Sequence, residues 1–164
     1  MNKYMLLIIS FILEFLFLNI LPFEYHQILY IQPMFIITTI FLIYSLFDSN
    51  IKYYQVILIF SIIYGSLFLN NILLGIFLLL VVSFISKIYH KYIHLNIFTI
   101  ILGIIIIILI YDSAFYIILN ISQVSNFSFN VLLYKITHSL IINLVYASLI
   151  YKFYIKKVLK PLYN

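Results

Sequence analysis

The sequence predicts an all-α fold, a polytopic bundle of membrane-spanning helices in a single domain of residues 1–164. Of these residues, 66% are hydrophobic and only 8% are charged, whereas about a quarter of the residues in a soluble domain carry a charge. The apolar residues form blocks of the length that crosses a bilayer, which is about 20 residues. Alternation of apolar and polar residues, the pattern of a membrane barrel, is not present in the sequence, so helices are the expected spanning elements.

Polar breaks divide the chain into six apolar segments. Pro33 suits the first turn of the second segment, and Asp48-Ser49-Asn50 ends it. Asn70-Asn71 separates the third segment from the fourth, and one long bent helix there would instead reduce the count to five. The first segment has no small-residue cleavage site and is interpreted as a retained helix. The predicted spans are 4–21, 33–47, 54–69, 72–86, 96–119 and 131–154.

The distribution of the basic residues favours six spans and gives an orientation. All nine basic residues are lysines, and the net charge is +5. With six spans, only Lys135 falls on one face of the membrane, and lysines gather in cytoplasmic loops. We therefore expect a multi-pass protein of the cytoplasmic (inner) membrane with both termini cytoplasmic, and no nucleic-acid partner. The eight lysines on the other face are Lys3, Lys52, Lys87, Lys91, Lys152, Lys156, Lys157 and Lys160.

Ionisable residues inside the predicted spans are the first candidates for function, since each costs several kcal/mol if unpaired. Asp112 and Lys135 fall at similar depth on the fifth and sixth helices, which predicts a pair between them. The pair is either a proton relay or ligand site, or, as is more common, a structural contact. Glu14 in the first helix either accepts a hydrogen bond from a neighbour, faces a partner protein or is protonated. His138 lies close to Lys135 in the outer part of the sixth helix.

Other reactive patterns are weak. His90 and His94 have the spacing of metal ligands on a helix, but no third ligand is near them. Gly65-Ser66 with His138 has a superficial similarity to an intramembrane serine protease, but the flanking glycines of such a nucleophile are missing. The chain has no cysteine, which excludes disulfides and thiol catalysis. We expect no enzyme activity and no cofactor or metal, and the three glycines are expected to permit close helix approach or a kink.

Six short motifs follow one another over nearly the whole chain. They are FILEFLF (11–17) with its glutamate, Gln32-Pro33-Met34, IYGSLFLNNILLG (63–75), the basic segment IYHKYIHLN (88–96), IYDSAFY (110–116) with its acid, and KITHSLIIN (135–143), in which Asn143 follows a lysine by eight positions. In this order and spacing they resemble the rod shape-determining protein MreD family. The chain departs from the family at 63–75, which has no acid, and at His138, where proline is common.

The resemblance implies both a fold and a role. The fold would be a six-helix bundle similar to the substrate-binding subunits of energy-coupling-factor vitamin transporters. The role would be that of a non-enzymatic scaffold in the cell-wall elongation (rod) complex, supporting cell shape. The direct partner would be an MreC-like bitopic protein, with cytoskeletal and peptidoglycan synthesis components as indirect ones. The candidate structural or interaction positions are Glu14, Asp112, Lys135, His138 and Asn143.

Two alternatives stay open. A vitamin-capturing transporter subunit would share the helix architecture, but it needs a polar-lined pocket under its outer loops and a small-residue motif on its first helix. Here the first helix is rich in Leu, Ile and Phe, and the outer loops are short. An intramembrane hydrolase or another small membrane protein is the third possibility.

Overall fold

Every element of the described chain is helical, which confirms the all-α class. The computed structural model describes residues 3–20, 32–94, 96–122 and 129–155. The helices are α1 (Lys3–Ile20), α2 (Phe35–Ile43) with a 3-10 turn (Tyr44–Leu46), α3 (Asn50–Phe68), α4 (Ile72–Tyr92), α5 (Ile97–Ile121) and α6 (Phe129–Ile150) with a π-helical turn (Tyr151–Ile155).

Five of these helices, α1 and α3 to α6, are long and apolar enough to cross a membrane. The second predicted span, 33–47, is different: α2 has only nine residues, and the 3-10 turn extends it to Leu46. A helix of that length is shorter than the roughly 20 residues that a bilayer span needs. The described residues therefore form a helical bundle in which the second segment is a short helix.

The boundary at Asn70-Asn71 separates two helices, as predicted, rather than lying inside one bent helix. Asn70 has a φ of 50°, in the left-handed region that asparagine tolerates better than most residues. The side chain of Asn71 accepts the backbone N–H of Leu74 at 3.1 Å and caps α4. Behind this turn α3 and α4 approach closely, because a Cβ atom at Gly75 would lie 2.4 Å from the Cα atom of Gly65.

The observed α4 continues to Tyr92, six residues beyond the end of the predicted apolar segment at residue 86. Lys87 and Lys91 therefore lie on the helix and not in a loop. Their long apolar stems allow the ammonium groups to reach the membrane surface from helical positions. Basic residues in a last turn are also favourable beside the carboxyl end of a helix.

The short helix α2 lies at the centre of the bundle. All nine of its residues are buried, and it contacts α1, α4, α5 and α6. Around it, α3 packs on α4, α4 on α5 and α5 on α6. By contrast, only four of the 18 residues of α1 are buried, so this helix presents most of its side chains to the surroundings.

Five of the six described lysines lie at one end of the bundle, here called the lysine end. Lys3 Nζ donates to the carbonyl of Leu46 at 2.9 Å, and Tyr44 Oη donates to Asn50 Oδ1 at 2.8 Å. The ring centroids of Tyr44 and His90 are 5.3 Å apart. These contacts bring together the start of α1, the end of α2, the start of α3 and the end of α4. The five are Lys3, Lys52, Lys87, Lys91 and Lys152; Lys156, Lys157 and Lys160 lie outside the described residues.

Candidate functional site

The amino end of α2 lies inside the bundle and is capped by side chains from two other helices. Glu14 Oε2 accepts the backbone N–H of Ile36 at 2.8 Å, and Asn143 Oδ1 accepts that of Met34 at 2.8 Å. The first N–H groups of any helix lack a partner within the helix. Met34 precedes α2 and provides no side-chain cap, so Glu14 of α1 and Asn143 of α6 take over this function.

The position of these caps is deep in the bundle. Glu14 is eleven residues beyond Lys3, about 16 Å along the helix axis, and is only 1% exposed. The hydrocarbon core of a bilayer is about 30 Å thick, so α2 would begin near the middle of a membrane whose surface lies at Lys3. Unpaired backbone groups there cost several kcal/mol. A carboxyl oxygen of Glu14 pairs one of these groups, the N–H of Ile36.

Asn143 holds more than one segment at the start of α2. Its amide nitrogen donates to the carbonyl of Ser139 at 2.8 Å within α6 and to the carbonyl of Gln32 at 3.2 Å. Together with the bond from Met34, these contacts use both the donor and the acceptor side of the amide. The side chain is fully buried and fixes the residues before α2 against α6.

Glu14 and Asn143 form a polar cluster at the start of α2, and hydroxyl groups extend this cluster to α3 and α5. The Tyr64 hydroxyl on α3 interacts with the Glu14 carboxylate and lies 3.0 Å from the hydroxyl of Tyr111 on α5. On the other side of α2, the hydroxyls of Thr39 and Tyr146 are 2.9 Å apart. The cluster therefore connects α1, α2, α3, α5 and α6 through polar contacts inside an apolar core.

The predicted contact between Asp112 and Lys135 is present, next to this cluster. Lys135 Nζ lies 2.9 Å from Asp112 Oδ1, and the two side chains are 10% and 0% exposed. The ammonium group also lies 4.8 Å from the centroid of the Phe115 ring. A cavity of about 20 Å³ borders the pair, which is the space of about one water molecule. The pair joins α5 to α6 on the side of Tyr111 away from the lysine end.

The other candidates stay apart from this cluster. His138 Nδ1 lies 2.9 Å from the carbonyl of Tyr134 and 3.3 Å from Thr137 Oγ1, so its described bonds stay within α6. The His90 ring packs among aromatic rings, while His94 is exposed. Within the described ranges, no three His, Cys, Asp or Glu side chains come together in a way that could hold a metal ion. The hydroxyl of Ser66 donates to the carbonyl of Ile63 at 2.9 Å and is not brought to a histidine.

Sequence reasoning missed the two tyrosine hydroxyls of the cluster. The chain contains 16 tyrosines, and several of them suit the membrane interface, so Tyr64 and Tyr111 carry no distinguishing signal. Asn143 was identified only through the resemblance to a family. Comparison with known proteins finds no matching family model, curated protein or solved structure for this chain.

The cap at Glu14 predicts that substitutions of this residue lower the free energy of unfolding by different amounts. Glu14→Ala leaves the N–H of Ile36 without an acceptor and is expected to cost about 1–3 kcal/mol. Glu14→Gln keeps an acceptor oxygen and should cost less. The matched control is Asn19→Ala on the same helix, because Asn19 is exposed and its amide, among the residues that the structure describes, donates to the carbonyl of Phe15 in the same helix. The free energy of unfolding in detergent measures all three, and a loss for Glu14→Ala no larger than that of the control would contradict the cap.

The ion pair predicts a coupling between its two members. Asp112→Asn leaves a lysine that can extend toward the membrane surface, whereas Lys135→Met leaves a fully buried carboxylate. We therefore expect the lysine variant to lose more stability, and the double variant to recover about 0.5–2 kcal/mol relative to the sum. Thermal unfolding of the two single variants and the double variant measures this term, and strictly additive losses would show that the contact contributes nothing.

Proposed function

We propose that this chain is a non-enzymatic scaffold of the cytoplasmic membrane that binds a single-span partner of the MreC type in the cell-wall elongation complex. The observation that carries the proposal is how the buried polar candidates are used. Glu14, Asp112, Lys135 and Asn143 each contact a different helix or the segment that precedes one. Polar groups bonded in this way fix the packing of a bundle, which supports a structural role for them.

The exposed apolar side chains of α1 offer a surface for such a partner. Met5, Ile8, Ile12 and Phe15 are each about half exposed. Lipid tails are as apolar as these side chains, so association in a membrane depends on packing and on a few polar groups. The resemblance of the ordered motifs to MreD supports an MreC-like occupant, with cytoskeletal and peptidoglycan synthesis proteins reached through it.

The transporter alternative rests on one observation. A groove of about 530 Å³ opens at the end away from the lysines, between the α3–α4 turn and the end of α5, and Asn70, Asn71 and Ser122 are among its lining residues. Its size is within the range of small-molecule sites. If the chain captures a vitamin, this groove is the expected site.

We further propose six membrane crossings with both termini in the cytoplasm. Between Lys3 and Leu46 the chain leaves the lysine end along α1 and returns to it along α2. This route supports a second crossing, although α2 alone is short. The excess of lysines at one end supports a cytoplasmic location for that end.

The proposed orientation predicts which positions a membrane-impermeant thiol reagent labels in intact cells. The chain has no cysteine, so single cysteines report without background. Asn50→Cys and Tyr92→Cys, at the lysine end, should be protected until the cells are opened. Asn70→Cys in the α3–α4 turn is the matched control and should react at once. Labelling at position 50 or 92 in intact cells would show that the proposed orientation is reversed or that the proposed topology is wrong.

The scaffold proposal predicts a stable complex. An affinity-tagged chain co-expressed with an MreC-like protein should retain that partner in detergent, whereas an unrelated single-span protein expressed at the same level should be lost. Mass spectrometry of the purified protein should find no retained vitamin. A tightly held vitamin together with loss of the partner would favour the transporter alternative.

A further inference from the structure

We propose that the groove between α1 and α6 binds one acyl chain of an anionic phospholipid whose phosphate is held by Lys3 and Lys152. The groove is lined by apolar side chains and has a volume of about 280 Å³. Its wall on α1 is formed by Leu6, Ile9 and Leu13, and its wall on α6 and the following turn includes Tyr146, Leu149 and Phe153. It is called the α1–α6 groove below.

The chemistry of the groove fits a hydrocarbon chain better than a helix. Its lining from Leu6 to Leu13 covers seven residues, or about 10 Å along the bundle, and offers no polar surface. Helix association in lipid depends on close packing and on a few polar groups. An acyl chain needs only an apolar surface, so it suits this groove better than a partner helix or a second copy of the chain.

The charges at the mouth of the groove select the head group. Lys3 precedes Leu6 by three residues on the same helix face, one turn closer to the lysine end. Lys152 follows Ile150, another lining residue, and its Nζ lies 5.9 Å from the ring centroid of Phe153. Lys3 Nζ donates to the carbonyl of Leu46 and lies 4.3 Å from the centroid of the Phe47 ring, and an ammonium group has three N–H donors, so donors remain for a phosphate. The head group of a lipid whose acyl chain fills the groove would lie beside these two ammonium groups. Their positive charges suit a phosphate with a net negative charge.

The expected preference has a definite size. A lysine near an anionic membrane surface contributes about a fivefold gain in binding. Two lysines are thus expected to favour an anionic over a zwitterionic phospholipid by about 5- to 25-fold in the α1–α6 groove. The preference should vanish when both charges are removed.

Brominated lipids quench the fluorescence of a tryptophan that they contact, which tests the preference directly. Because the chain has no tryptophan, an introduced one reports without background. Phe153→Trp places a single reporter in the groove, and Phe98→Trp, exposed in the first turn of α5, is the matched control at the same end of the bundle. Each protein is placed alone in phosphatidylcholine bilayers with brominated phosphatidylglycerol or brominated phosphatidylcholine. The reporter at position 153 should show the preference for the anionic lipid, and the reporter at 98 should show little or none.

Two double variants test whether Lys3 and Lys152 are the lysines that cause the preference for the anionic lipid. Lys3→Gln with Lys152→Gln should abolish the preference at position 153, whereas Lys52→Gln with Lys91→Gln removes the same charge from α3 and α4 and should preserve it. Equal quenching by both lipids at 153, the same preference at 98, or no effect of the first pair would overturn the proposal. Quenching by neither lipid would mean that protein covers the groove, which would also overturn it. No partner is present in this assay, so its result is independent of the scaffold proposal.

Discussion

The hydrogen bond from the Ile36 N–H to the carboxylate of Glu14 is the contact on which the arrangement of the bundle depends. A helix that begins in the middle of a bilayer exposes N–H groups where water is not available to pair them. The carboxyl oxygen at 2.8 Å from the Ile36 nitrogen removes that cost for one of these groups. Without it, the start of α2 would carry an unpaired buried donor, at a cost of about 1–3 kcal/mol.

The caps also determine how the long helices are held together. Glu14 joins α1 to α2, Asn143 joins α6 to the residues before α2, and Lys135 joins α6 to α5. In lipid the hydrophobic effect contributes little between helices, so a few satisfied polar contacts set the geometry. This division explains why the buried polar residues lie between helices while the outward faces are almost wholly apolar.

The sequence predicts the parts of this structure that depend on local pattern, but not those that depend on distant backbone. The apolar blocks, the Asn70-Asn71 turn and the Asp112–Lys135 contact follow from composition, turn chemistry and depth along the helices. The cap is not predicted in this way, because the donor to Glu14 is a backbone N–H 22 residues away. Every residue except proline has such a donor, so the residue type at that position gives no sign of the contact. The apolar pattern does not predict where α4 ends, because lysine stems allow a helix to continue beyond its apolar segment.

Helix α1 contacts the polar interior of the bundle through Glu14 and presents most of its other side chains to the surroundings. This helix has the fewest buried residues relative to its length among the helices that are long and apolar enough to cross a membrane, and one of those few is Glu14. Its outward side chains meet lipid or a partner, while its carboxylate holds the start of α2. A partner helix packed on the outward face of α1 would therefore be separated from the central helix by α1 itself. Rotation of α1 about its axis would move Glu14 away from Ile36, so outside contacts on α1 and the integrity of the cap are mechanically linked.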